Sequence, residues 1–251
     1  MKEIIQINHD AITLREKFGE DPGSPVDIFA LLGAQSDLTV VFYPMRESIS
    51  GMCIRDEQVK LIAINSKSSK GRQRFTAAHE LCHLFYHNDF QTIVCAKDSF
   101  GSNKKSEKEA DRFASYFLAP YGALLSFIEI NLHKKNMSLT VDDIVRIEQH
   151  FGLSRMAVLV RLQSEGLLSD KEASEMKVNI IRSAQRLGYS NELYLPNSES
   201  RQYLTIGSYV KIADVLLKSE IISTGKYEEL LMDAFRDDIV YGTDAAEEQY
   251  D

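Results

Sequence analysis

His79, Glu80 and His83 spell HExxH inside "AAHELCHLFYHNDF" (77–90), and this spacing constrains the fold more than any other feature of the chain. Two histidines four residues apart share a face only when the segment is helical. The same helix carries Ala77, Ala78, Leu81, Leu84 and Phe85, so it must be buried against other elements. Burying two imidazoles and a carboxylate on an apolar helix is costly without compensating partners. Both imidazoles can bind one Zn²⁺. Glu80, beside the first, is placed to take a proton from water that the ion activates.

A catalytic site of this kind needs a third protein ligand, and the sequence offers three candidates. His87 continues the series, but it lies about 12 Å along a straight helix from His79 and reads as a satellite. Asp89 stands ten residues after the first histidine, a spacing used by proteases that turn sharply at a glycine where this chain has Tyr86. The favoured candidate is Glu107, in "SEKEADRFASYFLAP" (106–120). Glu107 and Asp111 share a helical face, and Ala110, Phe113, Ala114 and Phe117 can pack that helix on the HExxH helix. Glu107 then completes a His₂Glu set with one open position, and Asp111 accepts the outer N–H of a ligating histidine. Glu109, two residues on, is expected to point elsewhere.

"RFTAAHELCHLFYH" followed by "EKEADRFASYFLAP" resembles the ImmA/IrrE family of zinc metallopeptidases over roughly residues 25–170. That family pairs an RFTxAHExxH helix, preceded by a strand, with an ExxA(D/N)xFAxxxLxP helix. "FLAP" here replaces the more usual "LLMP". The resemblance implies His79, His83 and Glu107 as zinc ligands and Glu80 as catalytic base of a gluzincin-like endopeptidase. It also implies a protein substrate, a helix-turn-helix repressor of a mobile element or stress regulon. Tyr86, His87 and Tyr121 are the candidate oxyanion donors.

The expected fold class is α+β: a small three-stranded sheet with a zincin-like helix pair, then a mostly helical C-terminal region. "LTVVFYP", "ISGMCIRD" and "QVKLIAINS" read as strands. Helices are expected over 9–18, 25–33, 70–88, 105–118, 120–133, 139–150, 154–165 and 170–187, on an apolar face from Tyr209 to Leu217, and over 226–239. The expected divisions are a peptidase domain over 1–137, a helix-turn-helix-like bundle over 138–170 and a helical appendage over 171–251.

Residues 138–168 invite a DNA-binding reading, with 154–165 as recognition helix. Glu148 stands where such motifs carry a small residue, and Arg155, Arg161 and Gln163 are a thin contact set. A net charge of −8 further disfavours wholesale nucleic-acid binding. Packing is the preferred role. Two basic runs, 66–74 and 102–108, read as solvated loops. Three cysteines, Cys53, Cys82 and Cys95, suggest reduced core thiols rather than a disulfide framework. With no secretory block or membrane-length apolar run, a cytoplasmic protein is expected. The competing expectations are a non-enzymatic zinc-containing DNA-binding regulator and a toxin-antitoxin component that binds a neighbouring gene product.

Overall fold

A computed structural model describes residues 3–56, 59–87, 92–96, 105–134 and 138–242, with 92–96 described by its backbone alone. Two helices, α1 (Ile4–Lys17) and α2 (Ile28–Ala34), precede three strands, β1 (Leu38–Tyr43), β2 (Ile49–Arg55) and β3 (Lys60–Asn65). The HExxH helix follows directly as α3 (Lys70–Tyr86), then β4 (Thr92–Ala96) and α4 (Lys105–Leu118). The rest is helical apart from one strand: α5 (Tyr121–Ser126) running into a π-helical turn, α6 (Val141–Phe151), α7 (Arg155–Ser164), α8 (Asp170–Glu175), α9 (Ile180–Arg186), β5 (Leu204–Gly207), α10 (Ser208–Lys218), α11 (Thr224–Asp233) and α12 (Asp237–Tyr241). The fold is α+β, as the sequence predicts. No single helix among the described residues is long and apolar enough to cross a membrane.

The sheet holds the three expected strands and two more, in the order β4-β2-β3-β1-β5. β1 and β3 are parallel, and the other pairings are antiparallel. Both added strands are short edges, whose alternation is too brief to register as a period. β5 comes from the segment expected as an appendage, so the chain returns to the sheet beside β1. Gly207 permits this return: its φ is +96°, and a Cβ there would lie 2.3 Å from the Leu38 carbonyl oxygen.

Asn65, fully buried at the end of β3, fixes the turn into α3. Its amide donates to the carbonyls of Arg46 and Ile49, and its oxygen accepts from the backbone of Met45 and Lys67. The first basic run is therefore not a solvated loop. Ser66, Ser68, Gly71 and Gln73 are buried within it, and the N–H of Lys70 donates to the carbonyl of Leu195 at 2.9 Å. That bond satisfies one of the donors a helix start leaves over.

α3 packs most extensively on α4, with the Tyr86 ring against Phe113 at 5.3 Å between centroids, and Ala110, Phe113, Ala114 and Phe117 of α4 are all buried. α1 covers α4 from outside, and its buried Arg15 donates at 2.7 Å to the carbonyl of Phe117 in the last turn of α4. Cys53 and Cys82 are buried free thiols. The side chain of Cys95 lies outside the described residues, as do Asp89, part of the second basic run and the acidic tail after Gly242.

The helix-turn-helix-like segment has both of its expected helices, α6 and α7, joined through Gly152 and packed into the same core by Ile144, Ile147, Phe151, Val158 and Leu159. Arg155 and Arg161 are 2% and 3% exposed, so the residues that would have read DNA are spent inside the protein. Arg155 pairs with fully buried Glu148, and also donates to the Met176 carbonyl at 2.8 Å and the Ser183 hydroxyl at 2.9 Å. Tyr194 donates to the same glutamate at 2.7 Å. Glu148 thus occupies the helix crossing as a counterion. Burial still pushes its carboxyl above the usual range, against the opposing pull of Arg155. The single helix expected over 170–187 is broken into α8 and α9: Arg155 claims the Met176 carbonyl, and Asn179 turns left-handed at φ 54°.

Removing one member of such a pair strands the other in the core. Arg155→Met should lower unfolding free energy in urea by about 3–5 kcal/mol, while Glu148→Leu combined with Arg155→Met should recover most of the loss. Equal losses in the single and double variants would show that the pair does not set the stability of this bundle.

Candidate metal centre

α3 places His79 and His83 one turn apart on the face it turns to α4, and α4 answers with Glu107 in its first turn. All three are buried, at 4%, 0% and 9% exposure. The two Nε2 atoms are 3.1 Å apart, Glu107 Oε2 is 3.4 Å from His79 Nε2, and Glu107 Oε1 is 3.5 Å from His83 Nε2. One ligand atom from each residue can be chosen so that all lie within 4.8 Å of one another. Ligands bonded tetrahedrally at about 2.0–2.1 Å sit about 3.3 Å apart, so these spacings are those of three ligands around one small divalent ion. Two borderline nitrogens and one hard oxygen suit zinc and also admit other divalent ions.

Each imidazole is held at its outer nitrogen. His79 Nδ1 lies 2.9 Å from Asp111 Oδ1, and His83 Nδ1 lies 2.8 Å from His87 Nδ1. With both Nε2 atoms turned to the centre, His79 donates to the Asp111 carboxylate and His83 to the His87 ring. His87 itself faces Glu109, with Nε2 3.7 Å from Oε1. Helix α3 ends at Tyr86, and His87 is extended at φ −108°, ψ 109°, which folds its ring back onto His83. His87 thus stands beside the triad, on His83, and not among the three clustered ligands. Glu109 is not among the clustered ligands, as expected; it is 8% exposed and turned to His87.

The centre favours positive charge. Burial alone would drive protons off His79, yet hydrogen bonds to Asp111 and Glu107 outweigh it and hold the ring pKa up at about 10. The neighbouring His83 is pushed down to about 3, by burial first and then by the charge on His79. One cation is thus wanted between the rings and a second proton is rejected.

Glu80 is fully buried one residue from His79, and β2 passes beneath it. A Cβ on Gly51 would come within 2.5 Å of Thr76 Cγ2, 2.9 Å of the Ala63 carbonyl oxygen and 3.2 Å of Glu80 Oε1. A side chain at position 51 would therefore push β2 off α3 and displace Glu80. Cys53 lies two residues along β2, and its thiol pKa is raised by burial and then by the nearby Glu80 carboxylate.

The three residues considered as oxyanion donors fare differently. The Tyr86 hydroxyl donates to the Asp10 carbonyl at 2.8 Å, which commits it to α1. His87 has one nitrogen on His83 and the other toward Glu109. Tyr121 is 44% exposed at the start of α5, and its N–H donates to Asn8, which turns its backbone to α1. Two residues near the centre escape a reading of spacing alone. Glu109 comes near the site through His87, at 3.7 Å, and Gly51 matters only once β2 is known to lie against Glu80.

Comparison with known proteins agrees with this geometry. The model of the Peptidase_M78 family, the IrrE N-terminal-like domain, matches residues 34–163, from just before β1 to the end of α7. A relative from Bacillus phage phi105, "Uncharacterized immunity region protein 2", is 28% identical over 113 residues, which cover 45% of this chain and 67% of the relative. The matched span contains β1 to β4 and the whole His79–His83–Glu107 triad, and on that ground the chain belongs to the IrrE N-terminal-like family of peptidases.

Proposed function

We propose that this protein is a zinc-dependent endopeptidase that cuts a specific protein substrate in the cytoplasm. The observation that carries the reading is the convergence of His79, His83 and Glu107 beside buried Glu80. Held by those three side chains, zinc would polarise the scissile carbonyl and lower the pKa of water toward neutrality.

The rest of the chemistry belongs to the chain's own side chains. Glu80 is the general base: its carboxylate takes the proton of the attacking water and passes it to the leaving amine. Asp111 and His87 fix the ring orientations of His79 and His83, so that both Nε2 atoms stay turned to the centre. Gly51 and Cys53 keep Glu80 in register with β2.

The substrate class we propose is a helix-turn-helix repressor of a mobile element or stress regulon, encoded near this protein. The name of the phage relative, an immunity region protein, supports that assignment. Direct DNA binding through α7 is disfavoured by the burial of Arg155 and Arg161.

Coexpression with the adjacent repressor should give one metal-dependent cut visible by mass spectrometry. Glu80→Gln should keep its bound metal and cut at least about 10²-fold more slowly; undiminished cleavage would remove Glu80 from the reaction. Asp111→Asn should weaken metal affinity by about 10–100-fold in competition with a chelator, with the fold intact by circular dichroism. An unchanged affinity would mean that Asp111 does not support His79.

A further inference from the structure

Asp111 also borders a cavity that has no part in the reaction proposed above. Side chains from α1, α3, α4 and α7 enclose a space of about 520 Å³, in the range of pockets that take small organic ligands. Its ionic wall is mainly cationic. Lys108, Arg112 and Arg161 line it against a single carboxylate, Asp111, which is already engaged with His79.

Arg161 is the unusual member. Only 3% exposed, it donates from Nε to Glu165 at 2.7 Å and from Nη1 to the Ser115 hydroxyl at 3.0 Å, with its guanidinium stacked 3.8 Å over the Tyr116 ring. Its Nη2 is buried and makes no hydrogen bond among the described residues. A guanidinium N–H held in place without an acceptor is an uncommon arrangement in a folded core, and it leaves the wall of the cavity with positive charge that an anion can offset. Apolar surface lies beside it, from buried Phe75 and from Ile4 and Val160, which are 49% and 40% exposed.

We propose that this cavity binds a small organic anion, a carboxylate or phosphate monoester bearing an apolar group. Arg112 and Lys108 hold the charged end, with the buried charge of Arg161 behind them, and Phe75, Ile4 and Val160 cover the apolar end. The ligand would lie against Asp111, the residue that orients His79. The site itself stands whether or not the protein cuts peptides.

The test is isothermal titration calorimetry of the zinc-loaded full chain with phenyl phosphate, and with phenol as its uncharged counterpart. Phenyl phosphate should bind saturably at one site, and phenol should not. Lys108→Gln combined with Arg112→Gln, at an exposed and a half-buried position, should weaken binding at least about tenfold. Val160→Trp, which fills the mouth from an exposed position, should abolish it. No saturable binding of phenyl phosphate at millimolar concentration would overturn the proposal. So would binding undiminished in the Lys108/Arg112 double variant, because the anion would then sit elsewhere, on the metal included.

Discussion

The contact between α3 and α4 is the constraint on which the rest depends. Away from the polar cluster it is apolar, with Tyr86 against Phe113 and with Ala110, Ala114 and Phe117 buried on the α4 side. At one end the same interface buries His79, Glu80, His83 and Glu107, groups that are expensive to remove from water. The apolar part holds the helices together firmly enough to keep the polar part assembled. A cation among these groups would offset much of their desolvation, and Asp111 and His87 occupy the outer nitrogens that would otherwise go unmet.

The surrounding structure can be understood as support for that contact. Asn65 aims the chain from β3 into α3, and Arg15 ties α1 to the last turn of α4. The C-terminal half contributes in the same way. The 188–203 segment lies against the start of α3 through Leu195 and Asn197, and β5 extends the sheet beyond β1. Arg155 and Glu148 knit α6 and α7 to the helices that follow. A motif that resembles a DNA reader in sequence is thus part of the scaffold, because its two arginines face inward.

Much of the centre was legible in the sequence because its information is local. HExxH fixes helix, face and spacing together, and Glu107 and Asp111 share a face for the same helical reason. The three central strands were legible from their β-branched and aromatic content. What escaped depends on contacts between distant segments. β5 is four residues long and is a strand only because β1 offers an edge. Glu109 lies 3.7 Å from His87, a contact between two helices that spacing within either one does not reveal. The break between α8 and α9 follows from a carbonyl claimed by an arginine on another helix.

The central claim is that two imidazoles and one carboxylate grip a single divalent ion and leave room for solvent. X-ray absorption spectroscopy of the zinc-loaded protein tests this most directly. The account predicts a low-coordinate shell of nitrogen and oxygen at about 2.0–2.1 Å with two imidazole signatures, reduced to one by His83→Ala. A shell containing sulfur at about 2.3 Å, or a spectrum unchanged by His83→Ala, would contradict it.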